Sequence, residues 1–125
     1  MARSRRRQTS SSPSMVRASV WIERGGVIAL TEAGADLLEQ IAAKGSLSEA
    51  ARTLRYSYRR AWMLLDAMNK RWNAPLVETA IGGKKGGGAE LTELGSRVLR
   101  SFRDLQIHIE AAIDHEVDGF RRATR

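Results

Sequence analysis

The stretch "SLSEAARTLRYSYRRAWMLLDAMNK", residues 46–70, constrains the chain more than any other segment, because it sets two amphipathic helical patterns almost end to end. Ser46 and Glu49 have the spacing of a capping box, and Leu47, Ala50, Ala51 and Leu54 repeat at i, i+3, i+4 and i+7. That helix is barely two turns long, and the small residues on its face let a neighbour pack close. After Arg55 and Tyr56, Ser57 is placed to cap a second helix whose buried face is Ala61, Leu64, Leu65 and Met68. Arg59, Met63, Asp66 and Lys70 fall on the opposite face, and Tyr58, Trp62 and Asn69 form a flank. The second helix opens with two adjacent arginines. Like charge at the positive end of the helix dipole costs an isolated helix roughly a few tenths of a kcal/mol, and the same arrangement becomes attractive opposite an anion.

The flanking segments supply the rest of a small domain. In "RASVWIERGGVIALT", Val20 and Ile22 share one strand face, Gly25 and Gly26 make a two-residue turn, and Val27, Ile28 and Leu30 resume the apolar pattern, which predicts a hairpin. Thr31 can then cap a helix with Leu37, Leu38, Ile41 and Ala42 on one face and Gly45 at its end. Further on, Leu76, Val77 and residues 79–81 have strand composition, "GGKKGGG" cannot order as helix or strand interior, and "AELT" can return antiparallel. From Glu93 to about Phe120, apolar residues recur every three or four positions, from Leu94 and Val98 through Phe102, Leu105, Ile109 and Ile113 to Val117. At about 1.5 Å per residue this helix extends about 40 Å, more than so small a domain needs. The surplus apolar face is expected to pair with a second copy.

Charge is clustered. Of the net +7, the segment before residue 18 contributes Arg3, Arg5, Arg6, Arg7 and Arg17 with no acid. A second cluster comprises Arg52, Arg55, Arg59, Arg60, Lys70, Arg71, Lys84 and Lys85 against only Asp66 and Glu78. The remainder is slightly acidic, so the bases form local patches of the kind that bind nucleic acid. Residues 1–15 lack large apolar residues apart from the methionines and are expected to be a disordered basic leader, with the domain occupying 16–125. A chain of 125 residues suits one domain, the absence of cysteine removes disulfides and thiolate zinc sites, and no apolar run approaches a membrane span. A cytoplasmic protein is expected.

The fold expected is mainly α with small β, a winged helix-turn-helix with a long C-terminal dimerisation helix from about residue 93. The DNA-binding candidates are Ser57, Tyr58, Arg59, Arg60, Met63, Lys84, Lys85 and Arg52. Arg59, opposite the core face, has the planar fork that pairs with guanine O6 and N7, and Arg60, nearer the edge, suits a phosphate. Ser57 and the first-turn N–H groups can also hold phosphate. Tyr58 offers its hydroxyl to phosphate, or an apolar surface to a thymine methyl, or packs beside Trp62. Lys84 and Lys85 on a glycine tip can follow the DNA backbone. Trp62 and Trp72 are expected in core or interface packing rather than stacked on bases. Enzymatic chemistry finds no support. Gly82 and Gly87 have the outer spacing of a phosphate-binding loop but lack its Lys and Ser or Thr, and His108 and His115 stand as two solvated histidines. No cofactor and no metal are expected.

These residues carry a resemblance. The segments "SYRRAW", Asp66–x–Met68–Asn69 and "GGKKGGGA-x-LT-x-x-G" resemble the N-terminal DNA-binding domain of the ModE family, bacterial molybdate-responsive transcriptional regulators, over residues 19–120. LysR-type regulators have similar helix-turn-helix wording without so glycine-rich a wing. The resemblance implies a sequence-specific, homodimeric regulator reading a palindromic operator in double-stranded DNA, with the long helix as its dimerisation element. Family members bind molybdate in C-terminal domains to which none of these residues corresponds, so molybdate sensing is not carried over. A nonspecific or architectural DNA-binding protein, or an interaction module pairing with a full-length regulator, remains open at this point.

Overall fold

The computed structural model describes residues 16–80 and 88–125; the leader and the wing tip with Lys84 and Lys85 lie outside the described residues. The described residues divide into two units, Val20–Phe102 and a second that includes Arg103–Arg125. The elements run β1 (Ile22–Arg24), β2 (Val27–Leu30), α1 (Glu32–Lys44), α2 (Leu47–Leu54), α3 (Tyr58–Arg71), β3 (Val77–Ala80), β4 (Gly88–Leu91) and α4 (Glu93–Ala123). This is a mainly helical winged helix-turn-helix with two small antiparallel sheets and a long last helix.

Each local signal acts through a specific contact. Gly25 and Gly26 both take positive φ, 60° and 81°, which gives the β1–β2 turn the twist its strands require. The Thr31 side chain accepts from Gly34 N–H and starts α1, and Gly45, left-handed at φ 73°, ends it by donating to the Ile41 carbonyl. Ser46 accepts from Glu49 N–H and starts α2. α2 ends on Arg55, a non-glycine residue at φ 62°, while Tyr56 N–H donates back to the Ala51 carbonyl. Ser57 then accepts from Arg60 N–H and begins α3.

α1, α2 and α3 enclose one core of Leu37, Leu38, Ile41, Leu47, Ala50, Ala51, Ala61, Leu65 and Met68, joined by Leu30, Leu76, Val77, Ala89 and Phe102. The fully buried Ala50 and Ala61 are the small residues through which the helices approach one another. Three expected core positions are not in it. Val27 and Ile28 are exposed, because the register shift between Ile22 and Glu23 leaves Ala29 and Leu30 as the buried pair of β2. Ala42 is exposed as well, although it shares the α1 face of Ala35 and Leu38, because it lies in the last turn of the helix.

The wing is tied to the helices by backbone. β3 pairs with β4 from Val77 opposite Leu91 to Ala80 opposite Gly88, and β4 extends onto the α1–α2 connection through an isolated Ser46–Gly88 bridge and an Ala89 N–H to Gly45 carbonyl bond of 3.0 Å. Two segments share one device, "LTEAG" at residues 30–34 and "LTELG" at 91–95. In each, a strand ends in leucine, the next threonine caps a helix, and its Oγ1 accepts from the glycine N–H, at 3.0 Å for Gly34 and 2.9 Å for Gly95. Within its own unit, the part of α4 beyond residue 102 has Phe120, Leu105 and Ile107 exposed and Val117 buried. Among the described residues no helix is long and apolar enough to cross a membrane.

Candidate nucleic-acid interface

Charge at the start of α3 departs from the other helices. α1, α2 and α4 each place a glutamate in the first turn (Glu32, Glu49 and Glu93), as the helix dipole favours, whereas α3 has no acid there and carries Arg59 and Arg60. Several neighbouring bases are already paired. Arg52 lies 2.8 Å from Glu49, Lys70 lies 3.0 Å from Asp66, and Arg97 lies 3.5 Å from Glu93. Among the described residues Arg59 has no such carboxylate, so its guanidinium projects into solvent from the side of α3 opposite Ala61, Leu65 and Met68.

Arg60 is positioned differently. Its Cζ lies 4.0 Å from the centroid of the Tyr56 ring, so the turn between α2 and α3 supplies a platform for the guanidinium. Ser57 keeps its hydroxyl proton free while its oxygen caps the helix, which leaves one more donor beside Arg60. Replacing Ser57 with alanine is expected to lower stability by about 1 kcal/mol, measured by denaturant unfolding.

Tyr58, Met63 and Trp62 are exposed, and with Arg59 they line one shallow concavity. Trp62, expected in core or interface packing, lies on the flank of α3 with half of its surface exposed. Trp72, by contrast, is more deeply buried, donates to the Ala29 carbonyl at 3.3 Å and carries Arg24 on its ring at 4.7 Å. Arg52 is exposed on α2, engaged with Glu49.

One structural residue of the site had no role assigned from sequence. Asn69, on the wing side of α3, accepts at Oδ1 from Leu76 N–H (2.8 Å) and Val77 N–H (3.2 Å), and its Nδ2 donates to the Val77 carbonyl (3.2 Å). A primary amide matches the donor–acceptor pattern of a strand edge, so this side chain docks the base of the wing on the helix bearing Arg59. The only sequence signal was its place in the "D-x-M-N" wording; nothing local in the sequence shows the carbonyl and amides it meets.

Residues 36–96 match the family model of bacterial regulatory helix-turn-helix proteins of the lysR family, a span that includes α2, α3 and both wing strands. Over 96 residues, 77% of this chain and 36% of the relative, the sequence is 40% identical to the molybdenum transport protein ModE of Azotobacter vinelandii. It is 47% identical over 70 residues to the ModE protein of Herbaspirillum seropedicae, covering 56% of this chain and 26% of that one. Identity to the DNA-binding transcriptional dual regulator ModE of Escherichia coli K12 is 43% over 74 residues, 59% and 28% of the two chains. The chain is ModE-like.

The ModE-like chain carries a helix-turn-helix DNA-binding domain and spans about a third or less of the length of these curated relatives. The family matches are to transcriptional regulators. α2 and α3, joined by the short turn at residues 55–57, form the helix-turn-helix within the matched span.

Proposed function

We propose that this chain is a sequence-specific regulator of transcription that binds double-stranded DNA as a homodimer, with α3 in the major groove of each half of a palindromic operator. The observation that carries it is the start of α3, where Arg59 is unpaired among the described residues and no first-turn acid offsets the dipole. Arg59 reads guanine, Arg60 on its Tyr56 platform holds a phosphate, and Ser57 and the first-turn N–H groups hold the same strand. Lys84 and Lys85 follow the backbone beside them, and Arg52 contacts phosphate when its exposed pair with Glu49 opens. Pairing of two copies through α4 is supported by its exposed Leu105, Ile107 and Phe120. A regulator of this kind acts in the cytoplasm.

Arg59→Ala is expected to weaken binding to the preferred duplex by about 1–3 kcal/mol and to relax base preference at one position per half-site. Titration against preferred and scrambled duplexes checks this, and equal losses on both would remove Arg59 as a base reader. Selecting duplexes from a random pool tests the whole proposal. A symmetric consensus bound by a complex with the mass of two chains supports it, and the absence of any preferred sequence would point to a nonspecific DNA-coating protein instead.

A further inference from the structure

α3 exposes three large apolar side chains in a row around Arg59. Tyr58, Trp62 and Met63 are 57%, 50% and 53% exposed, and all three line the same concavity as the Arg59 stem. A helix face kept only for phosphate would be expected to carry polar side chains here. The chain has three tryptophans, and the other two have acceptors for their indole N–H groups: Trp21 donates to Glu23 at 3.0 Å and Trp72 to the Ala29 carbonyl at 3.3 Å. Among the described residues Trp62 has no hydrogen-bond partner, and half of its surface is exposed.

We infer that Trp62 and Met63 form an apolar clasp for the C5-methyl group of thymine, and that they set the sequence specificity of α3 together with Arg59. The inference rests on the proposed placement of α3 in the major groove. There the thymine methyl is the one apolar group that the base edges present, and burying it is worth about 0.8 kcal/mol, or roughly fourfold in affinity. Position follows from helix geometry. Met63 lies four residues beyond Arg59, about 6 Å along the axis, and base pairs are stacked about 3.4 Å apart. The thymine therefore lies one or two base pairs from the guanine read by Arg59. Tyr58, one turn before Trp62 on the same flank, closes the clasp on its far side and shields the methyl from water.

The test uses the whole chain and a duplex consensus selected from a random pool. Each thymine is replaced in turn by deoxyuridine, which removes the methyl group and leaves every hydrogen-bonding group in place. The expected result is a loss of about fourfold or more at one thymine per half-site, within two base pairs of the position whose preference Arg59→Ala relaxes. Trp62→Ala and Met63→Ala, both at exposed positions, should lower affinity for the thymine duplex and abolish its advantage over the deoxyuridine duplex. A consensus that tolerates deoxyuridine at every thymine would overturn the clasp and leave the regulator intact. Failure of any consensus to emerge would overturn both. Tighter binding to single strands than to duplex, lost in Trp62→Ala, would overturn the clasp in favour of base stacking on the indole.

Discussion

Gly95→Ala is expected to lower stability by about 3 kcal/mol or more and to detach the base of the wing, an effect large against the 5–15 kcal/mol that holds a typical domain. A Cβ at residue 95 would collide with the Leu76 carbonyl oxygen and come within 2.9 Å of the Leu76 carbonyl carbon. Neither side can yield easily. The Leu76 carbonyl accepts from Thr92 N–H at 2.9 Å, Thr92 Oγ1 also donates to the Pro75 carbonyl at 2.8 Å, and Leu76 itself is fully buried. The matching position Gly34 gives an internal control. There a Cβ would meet the Met68 sulfur at 2.9 Å, the end of a flexible side chain that can turn away, so Gly34→Ala should cost markedly less. Denaturant unfolding of the two variants side by side measures the difference, and equal costs would show that the Leu76 contact does not decide.

Asn69→Ala should cost about 2–3 kcal/mol, because it leaves two backbone N–H groups and one carbonyl at the root of β3 without their partner. The groups are half-buried, so water can replace part of what is lost. Hydrogen exchange at Leu76 and Val77 should accelerate in this variant while the amides of α1 remain protected. DNA affinity should fall as well, since Asn69 links the wing to the helix that carries Arg59. Asn69→Asp keeps the two acceptor contacts and loses only the bond to the Val77 carbonyl, so its stability should fall between the two. A wing unaffected by Asn69→Ala would mean that the Ser46–Gly88 bridge holds it alone.

The helical part of the fold was legible because its signals are local. Thr31, Ser46 and Ser57 each bond an N–H three residues on, and Gly45 and the Gly25–Gly26 turn act within their own loops, so a residue type at a given spacing implies the contact. The buried face of α3 followed from periodicity for the same reason. What escaped depends on residues far apart in the chain. Asn69 with Val77 and Gly95 with Leu76 are long-range contacts whose geometry no periodicity encodes. Arg60 over Tyr56 is close in sequence, yet it depends on the left-handed Arg55 that folds the turn back. Trp62 shows the limit most plainly: the helical wheel places it on a flank, but only the positions of the neighbouring elements decide whether a flank is covered. Core or interface packing was expected of it, and half of its surface is exposed.

Arg55 joins α2 to α3 in a backbone conformation that favours glycine by about 1–2 kcal/mol. An arginine there gives up part of that stability and sets a positive side chain at the elbow, outside both helices. Glycine at this position would relieve that strain and remove the charge, so stability and positive charge at the elbow trade against one another.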